Sequence, residues 1–194
     1  MLGPTPLCEI ANKYGADKSP DINHNYTPFY YSILNDKRHE VKKVLEFGIG
    51  NRRIYHAIPT YQMGARLRMW RDFFPNAQIY GADIVKESQF EDDRIKTFIC
   101  NELVKEDVEN LIKEIGSDID IVIDDASHHI GDQKMLLENL MPLLNKDVTY
   151  IIEDCLRTKV IRNEYPQYDS FIPGLIPNDR PRMHEGIIIL TKKK

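Results

Sequence analysis

The chain has 194 residues, a length that suits one domain with a sizeable core and would be cramped for two. Apolar residues make up 42% and charged residues 29%, as in ordinary soluble globular proteins, and the formal net charge of −4 gives no general attraction for nucleic acid or anionic membranes. We therefore expect a single domain, 1–194, that binds neither.

The start of the chain and its cysteines indicate the compartment. The opening residues, MLGPTPLCEI, lack a basic region followed by an apolar stretch, and no segment approaches the roughly 18 apolar residues that a membrane span needs. We therefore expect a cytoplasmic protein. Cys8, Cys100 and Cys155 lie far apart without a Cys-x-x-Cys pair, so they are predicted to be reduced thiols rather than zinc or redox ligands.

Apolar, strand-like runs alternate with helix-like segments along the chain. After two short helices predicted within residues 1–40, the first five runs are short and rich in Val, Ile and aromatic residues, as strands covered on both faces require. This alternation predicts an α/β fold with a doubly wound, mostly parallel sheet flanked by helices. The strand-like runs are KKVLEFG, AQIYGADI, RIKTFIC, DIDIVIDD, VTYIIEDC and GIIILTK. The helices between them are ARLRMWRDFF, LVKEDVENLIKEIG and QKMLLENLMPLL.

Charged and aromatic residues on and near these helices have an ordinary structural interpretation. The basic run RLRMWR, which begins at Arg66, is typical of the wet face of a helix, so nucleic-acid binding is not expected. Trp70 and Phe73 are predicted to lie in the core. Asp17 and Lys18, which precede the second helix, fit a surface ion pair as well as they fit a functional role.

Each of the first five predicted strands ends in a polar or acidic residue, and in doubly wound sheets ligands bind beyond these carboxyl ends. Gly48 and Gly50 allow a tight turn close to a ligand, and Asp83 can accept hydrogen bonds from both hydroxyls of a ribose. Together they indicate an adenosine-type cofactor, although two glycines alone fit a plain tight turn equally well. The strand ends are Glu46 to Gly50, Asp83, Asn101 with Glu102, Asp124 with Asp125, and Glu153 with Asp154.

A nicotinamide dinucleotide is the less favoured cofactor. It requires a third glycine that opens a helix beneath the pyrophosphate, and Arg53 stands at that position. Tyr14 and Lys18 have the spacing of a short-chain dehydrogenase pair, but they precede the first strand, whereas the pair of that family follows the fourth. An NAD-dependent oxidoreductase is therefore the lesser alternative.

Two motifs resemble those of the S-adenosylmethionine-dependent methyltransferases of the Rossmann-like class: VLEFGIG, their first motif, and IYGADI, their acidic second-strand end. A longer set is similar to the metal-dependent sugar O-methyltransferases of macrolide antibiotic biosynthesis and related bacterial glycan-modifying enzymes. This set comprises YGADK, HNYTPFY, LRMWRDFFPNAQIYGADI, IDDASHH and YIIEDC, which occur in the right order. The similarity covers most of residues 8–155.

The resemblance implies an N-terminal helical or lid segment at 1–40, a cofactor-binding core at 41–155, and a loop with the last strand at 156–194. It implies that S-adenosylmethionine and a magnesium ion bind at the strand ends. The implied cofactor residues are Glu46, Gly48 and Gly50 for the methionine part, Asp83 for the ribose, Asn101 and Glu102 near the adenine, and Gly64 and Asp124 as further contacts. The implied metal ligands are Asp125, Glu153 and Asp154, and the implied catalytic residues are Asp125 and the base His128.

The chemistry of these residues agrees with that assignment. Carboxylates packed together raise one another's pKa unless a divalent cation neutralises them. Oxygen ligands without cysteine favour Mg²⁺ over zinc, with waters that substrate hydroxyls can replace. A sugar hydroxyl is a poor nucleophile, and His128, with an ordinary pKa of about 6.5, can take its proton. We therefore expect a Mg²⁺-dependent O-methyltransferase that acts on a sugar or glycosylated small molecule; a homo-oligomer is considered without being predicted.

Structural alternatives exist for several of these residues. Asp124 and Asp125 could simply cap the following helix, since Asp is common at that position. His24 and Tyr26 fit either a core-and-cap arrangement or, by the resemblance, a lid over the cofactor. A protein that binds S-adenosylmethionine without transferring a methyl group is the other functional alternative.

Two segments depart from the family pattern. The insert NRRIYHAIPTYQM, residues 51–63, separates Gly50 from the next helix. Either Gly64 completes the turn around the cofactor, or the insert forms a separate wall of the cofactor site. After Cys155 the chain lacks room for the family's usual last helix and full antiparallel hairpin. We therefore expect a shortened C-terminal part with a long loop over residues 165–181.

Overall fold

A computed structural model describes residues 4–50, 57–145, 147–174 and 186–193. Arg53 of the sequence analysis lies outside the described residues, as does the first part of the insert at 51–63. Within the described residues, no helix combines the length and the apolar character that crossing a membrane requires.

Eight strands of the described residues form one sheet in the order β3-β4-β2-β1-β5-β6-β8-β7. The five central strands β4, β2, β1, β5 and β6 are parallel, and β3, β7 and β8 pair antiparallel at the edges. The predicted doubly wound, mostly parallel α/β fold is thus confirmed. The strands are β1 Lys43–Phe47, β2 Gln78–Asp83, β3 Glu91–Asp92, β4 Ile95–Ile99, β5 Ile121–Asp124, β6 Thr149–Ile152, β7 Tyr168–Phe171 and β8 Ile188–Lys192.

The helices cover both faces of this sheet. They are α1 Pro6–Tyr14, α2 Thr27–Leu34, α3 Ala65–Phe73, α4 Lys105–Ile115, α5 Ile130–Leu140 and α6 Thr158–Glu164. Short 3₁₀ turns lie at Lys86–Ser88 and Met141–Leu143. The α-helix α5 ends before Pro142, which lacks the N–H that a further helical turn would need.

Side chains that alternate along the strands feed two apolar clusters, one on each face of the sheet. Val44 and Ile123 join the cluster on the side of α1 and α3, whereas Leu45 and Val122 join the cluster on the side of α4 and α5. Trp70 and Phe73 are fully buried in the first cluster, as predicted. The three cysteines are buried and free, as expected for reduced thiols.

The N-terminal segment crosses the carboxyl ends of the strands. Thr5 caps α1, and Gly15 ends it in the left-handed conformation at φ 73°. A Cβ on Gly15 would lie 2.5 Å from the backbone nitrogen of Tyr61, so only glycine fits there. The chain then passes through residues 16–26 to α2, which places Lys18 and Tyr26 above the sheet edge.

The expectation of a shortened C-terminal part is wrong. After Cys155 the chain forms the helix α6 and then β7, which pairs antiparallel with β8 in a hairpin. The run YDSF of β7 lies inside the segment that we expected to be a loop. Its composition gave no strand signal because β7 is an edge strand whose side chains are all at least partly exposed, so it does not need a Val- and Ile-rich sequence.

Candidate active site

The acidic residues at the carboxyl ends of β1, β5 and β6 lie close together. In the parallel register Glu46 lies beside Ile123 of β5, and the Asp125 N–H donates to the carbonyl of Phe47 at 3.1 Å. The Glu153 N–H in turn donates to the carbonyl of Asp124 at 2.9 Å. Since side chains alternate along strands, these positions turn three carboxylates to the face covered by the N-terminal segment. They belong to Glu46, Asp125 and Glu153.

A buried lysine bridges these three carboxylates. The Lys18 Nζ lies 2.5 Å from Glu153 Oε2, 3.1 Å from Asp125 Oδ2 and 3.4 Å from Glu46 Oε1. Lys18 is 1% exposed, so water cannot satisfy its charge and the carboxylates must do so. The surface pair considered for Asp17 and Lys18 is therefore wrong: the loop turns Lys18 inward.

A buried arginine provides the second positive charge. Arg66, in the first turn of α3, donates to Asp125 Oδ2 and to the carbonyl of Gly48, and its Nε lies 3.2 Å from Glu46 Oε1. Trp70, one turn further on, donates to Glu46 Oε2 at 2.8 Å. The interpretation of RLRMWR as a wet helix face is wrong for Arg66, because this residue points into the acidic cluster.

These contacts set the protonation of the cluster. Burial acts to raise the pKa of Asp125, but the charges of Arg66 and Lys18 outweigh it and hold that pKa well below its usual range. Burial opposes the charge of Lys18, yet the surrounding carboxylates raise its pKa well above the ordinary value. Burial raises the pKa of Glu46 and of Glu153. Asp125 is therefore the carboxylate that stays most firmly ionised.

A group suited to a metal ion lies beside this cluster. One ligand atom each from Asp125, His128 and Asp154 falls within 4.8 Å of the others. The His128 Nε2 lies 3.0 Å from Asp125 Oδ1, and its Nδ1 lies 3.6 Å from Asp154 Oδ2. Both His128 and Asp154 have left-handed backbones, with φ of 61° and 48°. Such conformations are uncommon outside glycine and collect at functional sites.

Two tyrosines of the N-terminal segment donate to the acids that end β6. The Tyr26 hydroxyl donates to Asp154 Oδ1, and the Tyr30 hydroxyl donates to Glu153 Oε1 at 2.5 Å. Glu153 is 1% exposed, and its two oxygens accept from Lys18 and Tyr30. The structure thus places Glu153 apart from the Asp125–His128–Asp154 group, so its role as a metal ligand stays a prediction.

The turn after β1 and the end of β2 form the neighbouring part of the edge. Gly48 and Gly50 have φ of 76° and 67°, and a Cβ on Gly48 would lie 2.2 Å from the carbonyl oxygen of Asp125. The Gly50 N–H donates to Asp83 Oδ2 at 3.2 Å, and the Val85 N–H donates to Asp83 Oδ1 at 2.8 Å. Asp83 is partly exposed, so its carboxylate can still accept from a ligand.

The remaining predicted cofactor residues lie further along the edge. Asn101 follows β4 and accepts from the Leu103 N–H at 3.1 Å, and burial raises the pKa of the adjoining Glu102. Gly64 precedes α3, where a Cβ would lie 1.9 Å from the ring of Phe90, so packing alone explains this glycine. Asp124 is buried on the opposite face of β5, and burial raises its pKa to about 7.

Comparison with known proteins gives a consistent set of relatives. The chain is 34% identical over 148 residues to mycinamicin VI 2''-O-methyltransferase of Micromonospora griseorubida, a match that covers 76% of this chain and 35% of the relative. It is 33% identical over 151 residues to 8-demethyl-8-(2-methoxy-alpha-L-rhamnosyl)-tetracenomycin-C 3'-O-methyltransferase of Streptomyces olivaceus, which covers 78% of this chain and 37% of the relative. Over about three quarters of its length the chain is thus similar to these two O-methyltransferases. It spans about a third of the length of the curated relatives it matches.

Solved structures with a similar fold agree with these sequence relatives. The MycE methyltransferase from the mycinamycin biosynthetic pathway, in complex with Mg and SAH, has a TM-score of 0.73 at 25% identity, over 98% of this chain and 55% of that protein. An O-methyltransferase from Bacillus cereus in complex with SAH has a TM-score of 0.62 at 12% identity, over 100% of this chain and 93% of that one, which bears on the fold alone. No protein-family model matches the chain. The predicted methyltransferase fold is confirmed.

The site of this chain contains residues whose place in it the sequence did not indicate. Sequence reasoning placed the acids at the strand ends but assigned Lys18 and Arg66 to the surface and gave Tyr30 no role. A set of buried carboxylates requires cationic partners, yet nothing in the sequence indicates which of 26 lysines and arginines supply them. The dehydrogenase-like spacing of Tyr14 and Lys18 has no counterpart in space, because Tyr14 donates to Asp72 at 2.6 Å while Lys18 enters the acidic cluster.

Proposed function

We propose that this chain carries the active site of a Mg²⁺-dependent, S-adenosylmethionine-dependent O-methyltransferase that acts on a hydroxyl of a sugar or glycosylated small molecule. The observation that carries the proposal is the Asp125–His128–Asp154 group, which lies at the same sheet edge as the Gly50–Asp83 hydrogen bond. A candidate ion site, to which Asp125 and Asp154 would supply oxygens and His128 the neighbouring base, thus adjoins a candidate nucleoside site. A bound donor and an acceptor hydroxyl would have to meet between them.

The relatives support the same chemistry. Those at 33 to 34% identity are named as O-methyltransferases of mycinamicin VI and of a rhamnosyl tetracenomycin C. MycE, at 25% identity, is described in complex with Mg and SAH, the product form of the methyl donor. Because the chain spans only part of these proteins, the acceptor and the activity are carried over here as a proposal.

The donor set fits magnesium. Asp125 and Asp154 each present one carboxylate oxygen to the group, and oxygen is the ligand that Mg²⁺ prefers. When bound, the ion would supply positive charge to an acceptor oxygen as its proton leaves. Asp125 suits this task because Arg66 and Lys18 keep its pKa low and the carboxylate charged. Glu153 remains the predicted third ligand.

His128 is the proposed base. The hydrogen bond of His128 to the Asp125 carboxylate, together with the charges of Asp125 and Asp154, raises the pKa of His128 above its ordinary value. A more basic imidazole takes a proton from a hydroxyl more readily, provided that the pH leaves it neutral beforehand. His128 is half-buried, so an acceptor can reach it.

The cofactor residues follow the strand ends. Asp83 is proposed to accept from the ribose hydroxyls, since its partly exposed carboxylate already lies against the Gly50 turn. The Glu46 carboxylate is already bonded to Trp70 and lies against Lys18 and Arg66, so its proposed role toward the methionine end is the one most constrained by existing contacts. The further proposed contacts are Gly48, Gly50, Gly64, Asn101, Glu102 and Asp124.

The test is a methyl-transfer assay with S-adenosylmethionine and a panel of glycosides that carry free sugar hydroxyls. We expect turnover that EDTA abolishes and Mg²⁺ restores, and that Asp125→Asn removes. Asp72→Asn is the matched control, because Asp72 is also paired with cations but lies away from the site. Turnover that persists in EDTA or in Asp125→Asn would contradict the metal assignment.

Calorimetry separates the two alternatives. We expect S-adenosylhomocysteine to bind and NAD not to bind, and the reverse result would favour an oxidoreductase. Binding of S-adenosylhomocysteine without turnover of any glycoside would favour a protein that holds the cofactor but transfers no methyl group.

A further inference from the structure

We propose that Tyr26 is a positioning residue for the metal: it holds one oxygen of Asp154 and thereby turns the other toward the ion. This inference rests on the proposed function and adds a residue of the N-terminal segment to it. Tyr26 would touch neither the ion nor the substrate. It would act through Asp154 alone.

The hydrogen bonds of Asp154 divide its two oxygens. Tyr26 donates to Oδ1, and the same oxygen lies 3.9 Å from the Nδ1 of His24. Oδ2 instead lies 3.6 Å from His128 Nδ1, on the side of the candidate ion site. The Asp154 side chain is 6% exposed, so little water competes for either oxygen. Tyr26 therefore decides which oxygen faces the ion.

Tyr26 can hold this position because its own ring is fixed. It is fully buried, stacks on His24 with ring centroids 4.8 Å apart, and meets Tyr30 edge-on at 6.3 Å. Its backbone N–H donates to the carbonyl of Lys18 at 3.1 Å. Because these contacts fix the ring, they also fix the position of its hydroxyl oxygen, which lies within hydrogen-bonding distance of Asp154 Oδ1.

Asp125 is divided in the same way, which argues that the arrangement serves the ion. Its Oδ2 takes the contacts from Lys18 and Arg66, whereas its Oδ1 faces His128 at 3.0 Å. In both acids one oxygen is held by a residue outside the strands, and the other lies against a nitrogen of the same His128 ring. Residues that orient metal ligands in this manner commonly change metal affinity by about 10- to 100-fold when they are removed.

The experiment measures Mn²⁺ affinity by electron paramagnetic resonance on the folded protein, with Mn²⁺ as the probe for Mg²⁺, and S-adenosylhomocysteine affinity by calorimetry. Tyr26→Phe keeps the ring and its stacking but loses the hydroxyl. We expect its Mn²⁺ affinity to fall about 10-fold. The affinity for S-adenosylhomocysteine should stay within about twofold, since the change is confined to the metal ligand.

Tyr14→Phe is the matched control. Tyr14 also lies in the N-terminal segment, is also buried, and also donates its hydroxyl to an aspartate, Asp72, at 2.6 Å. That aspartate is not part of the metal group, so Mn²⁺ affinity should not change. If Tyr26→Phe fails to fold, His24→Leu replaces it as the test, because it leaves the hydroxyl but removes the ring on which Tyr26 stacks; its Mn²⁺ affinity should fall as well.

The outcomes separate this inference from the proposed function. If the unaltered protein binds no Mn²⁺, the metal-dependent function fails and the inference fails with it. If the unaltered protein binds Mn²⁺ and Tyr26→Phe binds it equally well, only the inference is overturned. Equal weakening in Tyr14→Phe, or a parallel loss of S-adenosylhomocysteine affinity, would show general loosening and would also overturn it.

Discussion

The residues at the carboxyl ends of the central strands form two halves, which are held in place in different ways. In the acidic half, formed by Glu46, Asp125, Glu153 and Asp154, the side chains are buried and are held by residues far away in the sequence, such as Lys18 and Arg66. In the open half, formed by Asp83, Asn101 and Glu102, the side chains are partly exposed. Asp83 and Asn101 are held chiefly by backbone N–H groups two residues along the chain.

Because of this difference, a substitution should change the free energy of unfolding more in the acidic half than in the open half. Buried carboxylates must be paired before any ligand arrives, because an unpaired charge in the interior is strongly destabilising. The acidic half is therefore fixed by folding itself. Backbone hydrogen bonds to a partly exposed carboxylate leave acceptor capacity unused, so the open half can take up a cofactor without giving up its own structure. Substitutions in the first half should thus affect stability, and those in the second should affect binding.

The largest effect is expected for Lys18→Met, which tests whether the acidic half depends on its buried cation. Removing Lys18 leaves Glu46, Asp125 and Glu153 with Arg66 as their remaining buried cation among the described contacts. Breaking a buried ion pair from one side costs about 3–5 kcal/mol. We expect the free energy of unfolding, measured in urea without ligands, to fall by about that amount.

Lys13→Met is the control for this measurement. Lys13 also contacts a carboxylate, that of Asp72 at 2.9 Å, but its side chain is 60% exposed. Exposed pairs contribute little to stability because water screens them, so this variant should unfold almost like the unaltered protein. Equal losses in both variants would remove the distinction between the two halves.

The next effect concerns catalysis by the acidic half. His128→Asn removes the proposed base, and asparagine tolerates the left-handed backbone at φ 61°. We expect kcat to fall about 100-fold or more, in line with the loss of a general base. His129→Asn changes the adjoining exposed histidine, which precedes α5 at its N-cap and should leave kcat unchanged. A normal kcat in His128→Asn would exclude this residue as the base.

The contrast between the halves also explains how far the sequence could predict the site. Gly50 and Asp83 were predicted because each follows or closes a strand pattern of only a few residues, and their contact across 33 positions follows from the parallel pairing of β1 with β2. The pairing of Lys18 with Glu153 joins residues 135 positions apart, and no local pattern encodes such a contact. The sheet was predictable because its buried strands are continuous apolar runs.

The errors have the same physical origin. Arg66 belongs to a run whose composition is typical of a solvated helix face, and its contacts with Asp125 and with the carbonyl of Gly48 turn it inward. The strand β7 lies at the sheet edge with exposed side chains, so burial placed no apolar requirement on its sequence. In both cases tertiary contacts determined the outcome and local composition did not.

A smaller effect is predicted from the pH dependence of stability at Asp124, which ends β5 beside the acidic half, on the opposite face of the sheet. Burial raises its pKa to about 7 in the folded protein. The unfolded chain releases the same proton near about 3.9. Between these values the folded state binds more protons, so stability is greatest at low pH and is lost as the pH rises through about 7.

The measurement compares urea unfolding of the ligand-free protein with that of Asp124→Asn, which cannot titrate. From about pH 5 to about pH 6.5 the unaltered protein should lose about 2 kcal/mol more than the variant. Identical pH dependence in the two proteins would mean that Asp124 is ionised throughout and that burial does not control it.

The smallest effect is expected in the open half, for Asp83→Asn. An asparagine keeps an oxygen that can accept from the Val85 N–H but loses the charge and one acceptor for a ribose diol. We expect the affinity for S-adenosylhomocysteine to fall about 10-fold, since a hydrogen bond to a charged group contributes about 1.5–3 kcal/mol. The free energy of unfolding should change little, because Asp83 is partly exposed. A large loss of stability here, comparable with that of Lys18→Met, would mean that the open half is as dependent on its own charges as the acidic half, and that ligand binding and folding are not divided between them.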